Sequence, residues 1–270
     1  MNIWIALLLG LVQGVCEFLP VSSSGHLVLM HNLFGIEEGA LFFTIMLHVG
    51  TLFAVFAAYL KEIGNMLRHP FQRKVGMLFI ALIPTVVIAL LFRDFFKDAY
   101  GGRWLGIGFL LTAALLMATD SKKPPQRKMK EMRIPQAALI GLMQGVAILP
   151  GVSRSGATIA GGVFAGVTKK EAADFSFLLS IPAILGGVAF DLPDLIKADA
   201  AGLSGVNWPY VLAGMAVAAV SGYFAIRLTL RVIKKNKLWP FALYTAILGV
   251  FILIDQLFIN RFFVNPFAKA

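Results

Sequence analysis

The sequence predicts an all-α polytopic membrane protein, an inverted-topology repeat of six transmembrane helices and two re-entrant helical hairpins. Three observations lead to this prediction: a high hydropathy, a series of long apolar runs and a duplicated segment. The mean hydropathy is +0.81, 59% of the 270 residues are hydrophobic and 14% are charged. A soluble domain of this length needs more polar surface, so we expect the chain to lie in a membrane.

The apolar runs supply the predicted transmembrane helices. There are six such runs, and most are near the roughly 20 residues with which a helix crosses about 30 Å of hydrocarbon. They cover residues 40–60, 75–92, 104–119, 175–190, 210–226 and 239–259. The amino terminus lacks a basic region, and Gln13 and Glu17 interrupt its first apolar run, so no cleavable signal sequence is predicted. The single cysteine, Cys16, excludes an intramolecular disulfide.

The duplicated segment comprises residues 10–25 and 141–156. The two copies are 131 positions apart and share nine of sixteen residues without a gap. Each copy places glycines and serines among apolar residues, where unpaired polar groups are costly. We therefore expect the function to depend on the place where the two copies meet.

Charged residues in the connectors predict the orientation of the chain. Four connectors are basic, and the positive-inside rule assigns them to the cytoplasm. They lie at residues 61–74, 120–133, 169–170 and 227–237, whereas the remaining connectors, at 37–38, 93–103 and 191–199, are acidic or nearly balanced. Membrane orientation thus accounts for the formal net charge of +10. No basic recognition helix or aromatic stacking platform indicates nucleic-acid binding.

Successive connectors lie on alternate sides of the membrane only if neither duplicated segment crosses it. Each segment must then enter and leave the membrane on one side. Residues 3–36 then form a re-entrant hairpin from the outer side, and residues 134–168 form one from the inner side. Proline and glycine near the turns, among them Pro20 and Gly151, suit non-helical tips. Such tips are tolerated where protein or a watery cavity surrounds them.

Three spanning helices follow each hairpin, so the second repeat is predicted to be inverted relative to the first. The first repeat covers residues 1–120 and the second covers 134–262, within a single membrane domain of residues 1–270. The proline-containing linker at 121–133 separates them. An inverted repeat brings its two broken elements together near the membrane midplane.

The first hairpin supplies a carboxylate beside several hydroxyl groups. Glu17 is ionisable and lies in a membrane-embedded segment, which marks function by default. Gln13 is four residues earlier, so both share one helix face. Ser22, Ser23, Ser24 and His26 follow. This set can provide a nucleophile, a base or ligands for a hard cation. The other histidines, His31, His48 and His69, are expected to be structural or interfacial.

The second hairpin supplies a phosphate cradle. Arg154 carries a planar, permanently charged fork that binds phosphate oxygens at two points. The surrounding GVSRSGAT sequence is predicted to begin a helix, whose free amides favour an anion. Gln144, Ser153, Ser155 and Thr158 add polar groups. With a carboxylate and a divalent ion, this set is typical of phosphoryl transfer.

Three other interpretations stay open at this point. Glycine and serine also pack membrane helices against one another, and Glu17 can serve only to neutralise Arg154. Inverted repeats with hairpins that meet at the midplane are also found in transporters, so a transporter or lipid flippase is the alternative function. A purely structural scaffold would leave the two buried charges unexplained.

The two motifs resemble those of a known family. QGVCEFLPVSSSGH at residues 13–26 and PGVSRSGAT at residues 150–158 are similar to the signature motifs of the undecaprenyl-diphosphate phosphatases, also called bacitracin-resistance proteins. The resemblance covers the whole chain. It implies a multi-pass enzyme of the bacterial inner membrane, with inverted repeats and an active site open to the periplasm. Such enzymes convert undecaprenyl diphosphate to undecaprenyl phosphate, which recycles the lipid carrier for peptidoglycan synthesis. A homodimer is left open.

The resemblance also implies residue roles. Glu17 matches the essential glutamate, Ser23 the proposed nucleophile, His26 the motif histidine and Arg154 the arginine that holds the diphosphate. Family members depend on a divalent cation, Mg²⁺ or Ca²⁺, for which Glu17 is the expected ligand. Whether Glu17 or His26 is the base is left open, as is direct attack by water. The other positions expected to contact substrate are Gln13, Ser22, Ser24, Gly151, Ser153, Ser155 and Thr158.

A second family of lipid phosphatases, the type-2 phosphatidic acid phosphatases, shares only short fragments with this chain. Those enzymes need a histidine nucleophile shortly after a Ser-Arg pair. No histidine follows His69 in this sequence. That assignment is therefore rejected.

Overall fold

The structure is a computed structural model that describes residues 2–36, 40–121, 128–198, 207–234, 237–263 and 265–267. All regular elements in these ranges are helical, which confirms the predicted all-α class. Several residues of the predicted connectors lie outside the described part: Glu37, Glu38, Lys122, Lys123, Pro124, Pro125, Arg127, Asp199 and Lys235.

Eleven α-helices are defined within the described residues. They are α1 (Ile3–Phe18), α2 (Ser23–Phe34), α3 (Ala40–Arg68), α4 (Arg73–Leu91), α5 (Arg93–Ala99), α6 (Leu105–Asp120), α7 (Ile134–Val146), α8 (Arg154–Phe164), α9 (Lys169–Ala198), α10 (Trp208–Lys234) and α11 (Trp239–Ile254). A 3-10 turn at Met129–Glu131 precedes α7, and a π-helical turn at Asp255–Ile259 extends α11.

Five of the described helices are long and apolar enough to cross a membrane. They contain the segments Leu41–Arg68, Arg73–Leu91, Lys169–Asp191, Trp208–Lys234 and Trp239–Ile259. The sixth predicted run forms α6, which has 16 residues and reaches only about 24 Å at 1.5 Å per residue. Multiple apolar helices are thus confirmed, whereas a sixth span remains a prediction.

The hairpin helices α1 and α7 pack on helices of the opposite half of the chain. The most extensive contact of α1 is with α10, and that of α7 is with α4. Equivalent glycines permit both contacts. A Cβ atom at Gly10 would collide with the carbonyl oxygen of Gly214, and one at Gly141 would collide with that of Ala81. The two copies of the duplicated segment therefore approach their neighbours in the same way.

The remaining helices enclose the ends of the hairpins. Helix α6 packs along α11, and α8 lies between α6, α7 and α9. The largest fully buried side chains include Phe18, Phe109 and Phe177, and all three lie on helices that surround the hairpin tips. The predicted linker is not free of the core, because Met132 is buried in the cluster around α4 and α9.

Candidate active site

Each hairpin reverses direction just before an N-capping serine. Ser22 precedes α2 and accepts a hydrogen bond from the amide of Gly25 at 3.2 Å. Ser153 precedes α8 and accepts one from the amide of Gly156 at 3.0 Å. Serine is a preferred N-cap because its hydroxyl satisfies an amide that has no partner within the helix. The predicted start of a helix in GVSRSGAT is confirmed.

The residues after these caps occupy equivalent positions of the duplication and both contact Glu17. Ser23, the first residue of α2, donates its hydroxyl to Glu17 Oε2. Arg154, the first residue of α8, donates from Nη2 to Glu17 Oε1 at 2.5 Å. One carboxylate thus receives a hydroxyl from one hairpin and a guanidinium from the other. Two helix amino termini, whose dipoles favour anions, converge on this point.

The two tips are in direct contact. Ser155 donates a hydrogen bond to the carbonyl of Leu19 at 3.1 Å. A Cβ atom at Gly25 would lie 2.8 Å from the Cα atom of Gly151. Gly151 has a φ of 90°, which only glycine adopts without strain. Glycine at 25 and 151 therefore permits the approach that brings Arg154 to Glu17.

Glu17 is buried, with 6% of its side chain exposed. Gln13 also donates a hydrogen bond to its carboxylate, in addition to Ser23 and Arg154. Gln13 Nε2 donates to Glu17 Oε2 at 3.1 Å, as the four-residue spacing predicts. The amide oxygen of Gln13 is fully buried and accepts no hydrogen bond from the described residues. A buried acceptor without a partner costs about 1–3 kcal/mol. Gln13 Oε1 is therefore available to coordinate a cation or to accept a hydrogen bond.

His48 lies in the site, although its place in the sequence predicted a structural or interfacial role. Its Nε2 atom is 3.8 Å from Glu17 Oε2. Its Nδ1 atom donates to the carbonyl of Thr44 at 2.9 Å, which fixes the ring. The same rule that singled out Glu17, an ionisable group within a membrane segment, applies to His48 as well.

His26 occupies a different position from the one its place in the motif suggested. Its Nδ1 atom donates to the carbonyl of Ser22 at 2.7 Å, and its Nε2 atom is 2.7 Å from the hydroxyl of Tyr244. The Tyr244 ring also stacks on the imidazole. His26 hydrogen-bonds to neither Glu17 nor Ser23. Nδ1 of His26 thus holds the backbone at Ser22, which has an unusual φ of 70°, while Tyr244 holds the other side of the ring. Nothing in the sequence indicated Tyr244.

The remaining predicted hydroxyls are engaged within the protein. Ser24 lies 3.4 Å from Ser22 Oγ. Ser153 Oγ lies 3.2 Å from Ser155 Oγ, and Thr158 is 2.6 Å from Ser176 of α9. Three hydrogen bonds around the second tip were not predicted from the sequence. Thr112 donates to the carbonyl of Gly151 and accepts from the amide of Ser153. Arg154 Nη1 donates to the carbonyl of Ser176.

A divalent cation has one carboxylate available at this site. Among the described residues, no group of three or more histidine, cysteine, aspartate or glutamate side chains is suited to a metal. Mg²⁺, however, is commonly held by one or two carboxylates together with substrate phosphates. Glu17 and the unpaired oxygen of Gln13 fit that pattern, because both are hard oxygen donors.

The arrangement is suited to phosphoryl transfer. A serine hydroxyl donates to a carboxylate that can take its proton, and a guanidinium lies on the other side of the carboxylate. Arg154 has five N–H donors, and within the described part of the chain its contacts to Glu17 and Ser176 use two of them. The unused donors and the amino termini of α2 and α8 are available for the oxygens of a phosphate.

The chain is similar over most of its length to one protein family and to proteins named undecaprenyl-diphosphatase. A family model described as bacitracin resistance protein BacA matches residues 6–251. The undecaprenyl-diphosphatase of Carboxydothermus hydrogenoformans is 42% identical over 257 residues, covering 95% of this chain and 98% of that protein. The undecaprenyl-diphosphatase of Alkaliphilus metalliredigens is 43% identical over 272 residues, covering 93% and 98%. Undecaprenyl-diphosphatase 4 of Bacillus thuringiensis is 40% identical over 257 residues, covering 95% and 98%.

Proposed function

The chain belongs to the family of the bacitracin resistance protein BacA, and we propose that Glu17, Ser23 and Arg154 form its catalytic centre. It is a membrane phosphatase, an undecaprenyl-diphosphatase, which confirms the family predicted from the two motifs. The substrate is a lipid diphosphate. Hydrolysis of its terminal anhydride bond yields undecaprenyl phosphate and inorganic phosphate, and so recycles the lipid carrier.

Arg154 holds the diphosphate in this proposal. Its guanidinium is fixed by Glu17 and by the carbonyl of Ser176, so its remaining donors are oriented before substrate arrives. The amides at the start of α2 and α8 add neutral donors to the same anion. Preorganised donors of this kind stabilise charge that develops on the transferred phosphoryl group.

Ser23 is the nucleophile and Glu17 is the base. The Ser23 oxygen attacks the terminal phosphorus, its proton passes to Glu17, and the bond from phosphorus to the bridging oxygen breaks to release undecaprenyl phosphate. The proton then passes from Glu17 to the departing phosphate group, so that Glu17 is ionised again. Water attacks the phosphoserine and gives a proton to Glu17, the bond from phosphorus to the Ser23 oxygen breaks, and that oxygen takes the proton back from Glu17 as inorganic phosphate leaves. Glu17 is preferred over His26 because Ser23 hydrogen-bonds directly to Glu17. Direct attack by water, positioned by Ser23, is the second route.

A divalent cation, Mg²⁺ or Ca²⁺, would be held by Glu17, the amide oxygen of Gln13 and the phosphates themselves. When bound it supplies positive charge that offsets the charge of the diphosphate. The buried oxygen of Gln13 without a partner is the observation that supports this site. Gln13 is neutral, so the site has one charged protein ligand.

We also propose the inverted topology, with the catalytic centre open to the periplasm of a bacterial inner membrane. Two related halves are supported by the packing of α1 on α10 and of α7 on α4, because in each case a hairpin helix of one half contacts a helix of the other half. The last helices of the two halves, α6 and α11, pack on each other. The basic connectors support the orientation. Single cysteines in a Cys16→Ala background test it: a membrane-impermeant maleimide should modify Asp98→Cys in intact cells, and Phe71→Cys only after lysis. Both positions are exposed. The reverse pattern would exclude this orientation.

The observation that carries the catalytic proposal is the convergence of Ser23 and Arg154 on one carboxylate. Its test is an assay of purified protein in detergent with undecaprenyl diphosphate. We expect release of inorganic phosphate that stops on chelation of divalent cations. In Ser23→Ala the rate should fall by a factor of about 10⁶, as for loss of a serine nucleophile.

Ser221→Ala is the matched control for Ser23→Ala. Ser221 also lies near the first hairpin, but its hydroxyl donates to the carbonyl of Val217 within α10. We expect its activity to stay within a few-fold of the parent. Unchanged turnover in Ser23→Ala would exclude the nucleophile. Translocation of the lipid in vesicles without any phosphate release would favour the transporter alternative.

A further inference from the structure

An apolar groove lies on the surface between α3 and α10, and the residues that line it are distinct from those of the catalytic centre. It has a volume of about 410 Å³. Phe53, Ala54 and Ala57 line it on α3, and Ala219, Tyr223 and Phe224 line it on α10. The lining consists of alanine, valine and aromatic side chains, so the groove is suited to a hydrocarbon chain rather than to a polar ligand.

The two helices of the groove run in the same direction. Gly50 lies against Met215, and one turn later Ala54 lies against Gly222. Residues that follow Ala57 on α3 and Tyr223 on α10 therefore lie at the same end of the groove. This end is the one with the basic connectors, because Lys61 follows on α3 beyond the kink at Tyr59, and Arg227 and Arg231 follow on α10.

Arg227 is held at the end of the groove. It follows Tyr223 by four residues, so both lie on one face of α10. Its Nη2 atom donates to the Tyr223 hydroxyl at 2.7 Å, and its guanidinium lies 5.1 Å from the centre of the Tyr223 ring. Arg231, one further turn along the same face, is exposed. A wall of the apolar groove thus continues directly into two arginines.

These cations have no acidic partner among the described residues. Neither Lys61, Arg227 nor Arg231 forms an ion pair with any of them. The carboxylate next in sequence, Glu62, is paired with Lys74 at 2.5 Å. An apolar groove that ends in unpaired cations matches the form of a phospholipid with an anionic headgroup, since basic residues between membrane helices bind such headgroups.

We propose that this groove binds an anionic phospholipid, with one acyl chain between α3 and α10 and the headgroup phosphate on Arg227 and Arg231. The site is separate from the catalytic centre, and its occupant is a lipid of the surrounding membrane rather than the substrate. Charge complementarity carries the assignment. A zwitterionic lipid offers the same chains but carries a positive group next to its phosphate, so it should bind more weakly.

The experiment is native mass spectrometry of the full-length protein released from detergent in the presence of phosphatidylglycerol or phosphatidylcholine. We expect the parent protein to retain phosphatidylglycerol in preference to phosphatidylcholine. In Arg227→Gln/Arg231→Gln, retention of phosphatidylglycerol should fall about fivefold for each charge removed. Ala57→Trp, which places an indole in the groove, should reduce retention of both lipids.

Arg68→Gln/Arg133→Gln is the matched control, because it removes two exposed arginines from the basic connectors at positions outside the groove. Its lipid retention should equal that of the parent. An equal loss of lipid in this control would mean that net charge alone causes the effect, and it would overturn the proposal. Unchanged lipid binding in Ala57→Trp would also overturn the proposal, as would displacement of the lipid by undecaprenyl diphosphate. A third contrary result would be that the test variants lose a dimer and keep their lipid.

Discussion

Arg154→Lys should lower the rate of phosphate release by about 10²–10³-fold, comparable to the loss of one preorganised donor in a site of this type. Lysine preserves the positive charge beside Glu17. It does not reproduce the planar fork with which Arg154 contacts Glu17 and Ser176 at once. A point charge on a flexible stem binds a phosphate without fixing its orientation.

The fold should survive this substitution, because an ammonium group still neutralises Glu17. Thermal unfolding in detergent should therefore show a melting temperature close to that of the parent. Arg133→Lys, at an exposed position in a connector, controls for the exchange of residue type and should be fully active. Full activity in Arg154→Lys would mean that the fork is not needed to hold the diphosphate.

Glu17→Gln should reduce turnover by about 10²–10⁴-fold, the range for loss of a general base. The amide cannot accept the Ser23 proton, although it keeps the size of the side chain. This variant should also be less stable, by up to about 3 kcal/mol, because Arg154 is left without its counter-ion in a largely buried position. Phosphate release and thermal unfolding measure the two effects separately.

A double variant separates catalysis from simple charge pairing. In Glu17→Gln/Arg154→Met both buried charges are absent, and stability should return toward that of the parent. If the ion pair served only the fold, activity would return with it. We expect the double variant to stay inactive. Glu62→Gln, which breaks the more exposed pair with Lys74, is the matched control and should keep full activity.

The duplication in the sequence predicted the essential geometry of the site. The helix start in GVSRSGAT was predicted, and the structure shows the equivalent N-cap in the first copy, so that Ser22 and Ser153 precede Ser23 and Arg154 in the same way. The four-residue spacing of Gln13 and Glu17 likewise predicted their hydrogen bond. These features are local or follow from internal repetition, so a single sequence is sufficient to derive them.

Contacts between distant segments were not predictable in the same way. Tyr244 reaches His26 across 218 positions, and no local pattern marks a tyrosine in an apolar helix as a partner. His48 lies within a predicted span, where a structural or interfacial role was expected. Its distance from Glu17 depends on how α3 packs against α1, which the sequence does not show. The apolar run at 104–119 predicted the extent of α6 (Leu105–Asp120) to within one residue, because helix length follows from the local apolar pattern.

The equivalence of Ser23 and Arg154 also limits how such a protein can be assembled. In a symmetric pair of identical half-chains, both tips would have the same residue, so an arginine would oppose an arginine or a serine a serine. A nucleophile facing an anion-holding group requires halves that differ, and joining them in one polypeptide guarantees one of each. The placement of Ser23 and Arg154 on one carboxylate is therefore a property of the fused chain, and no homodimer of either half can reproduce it.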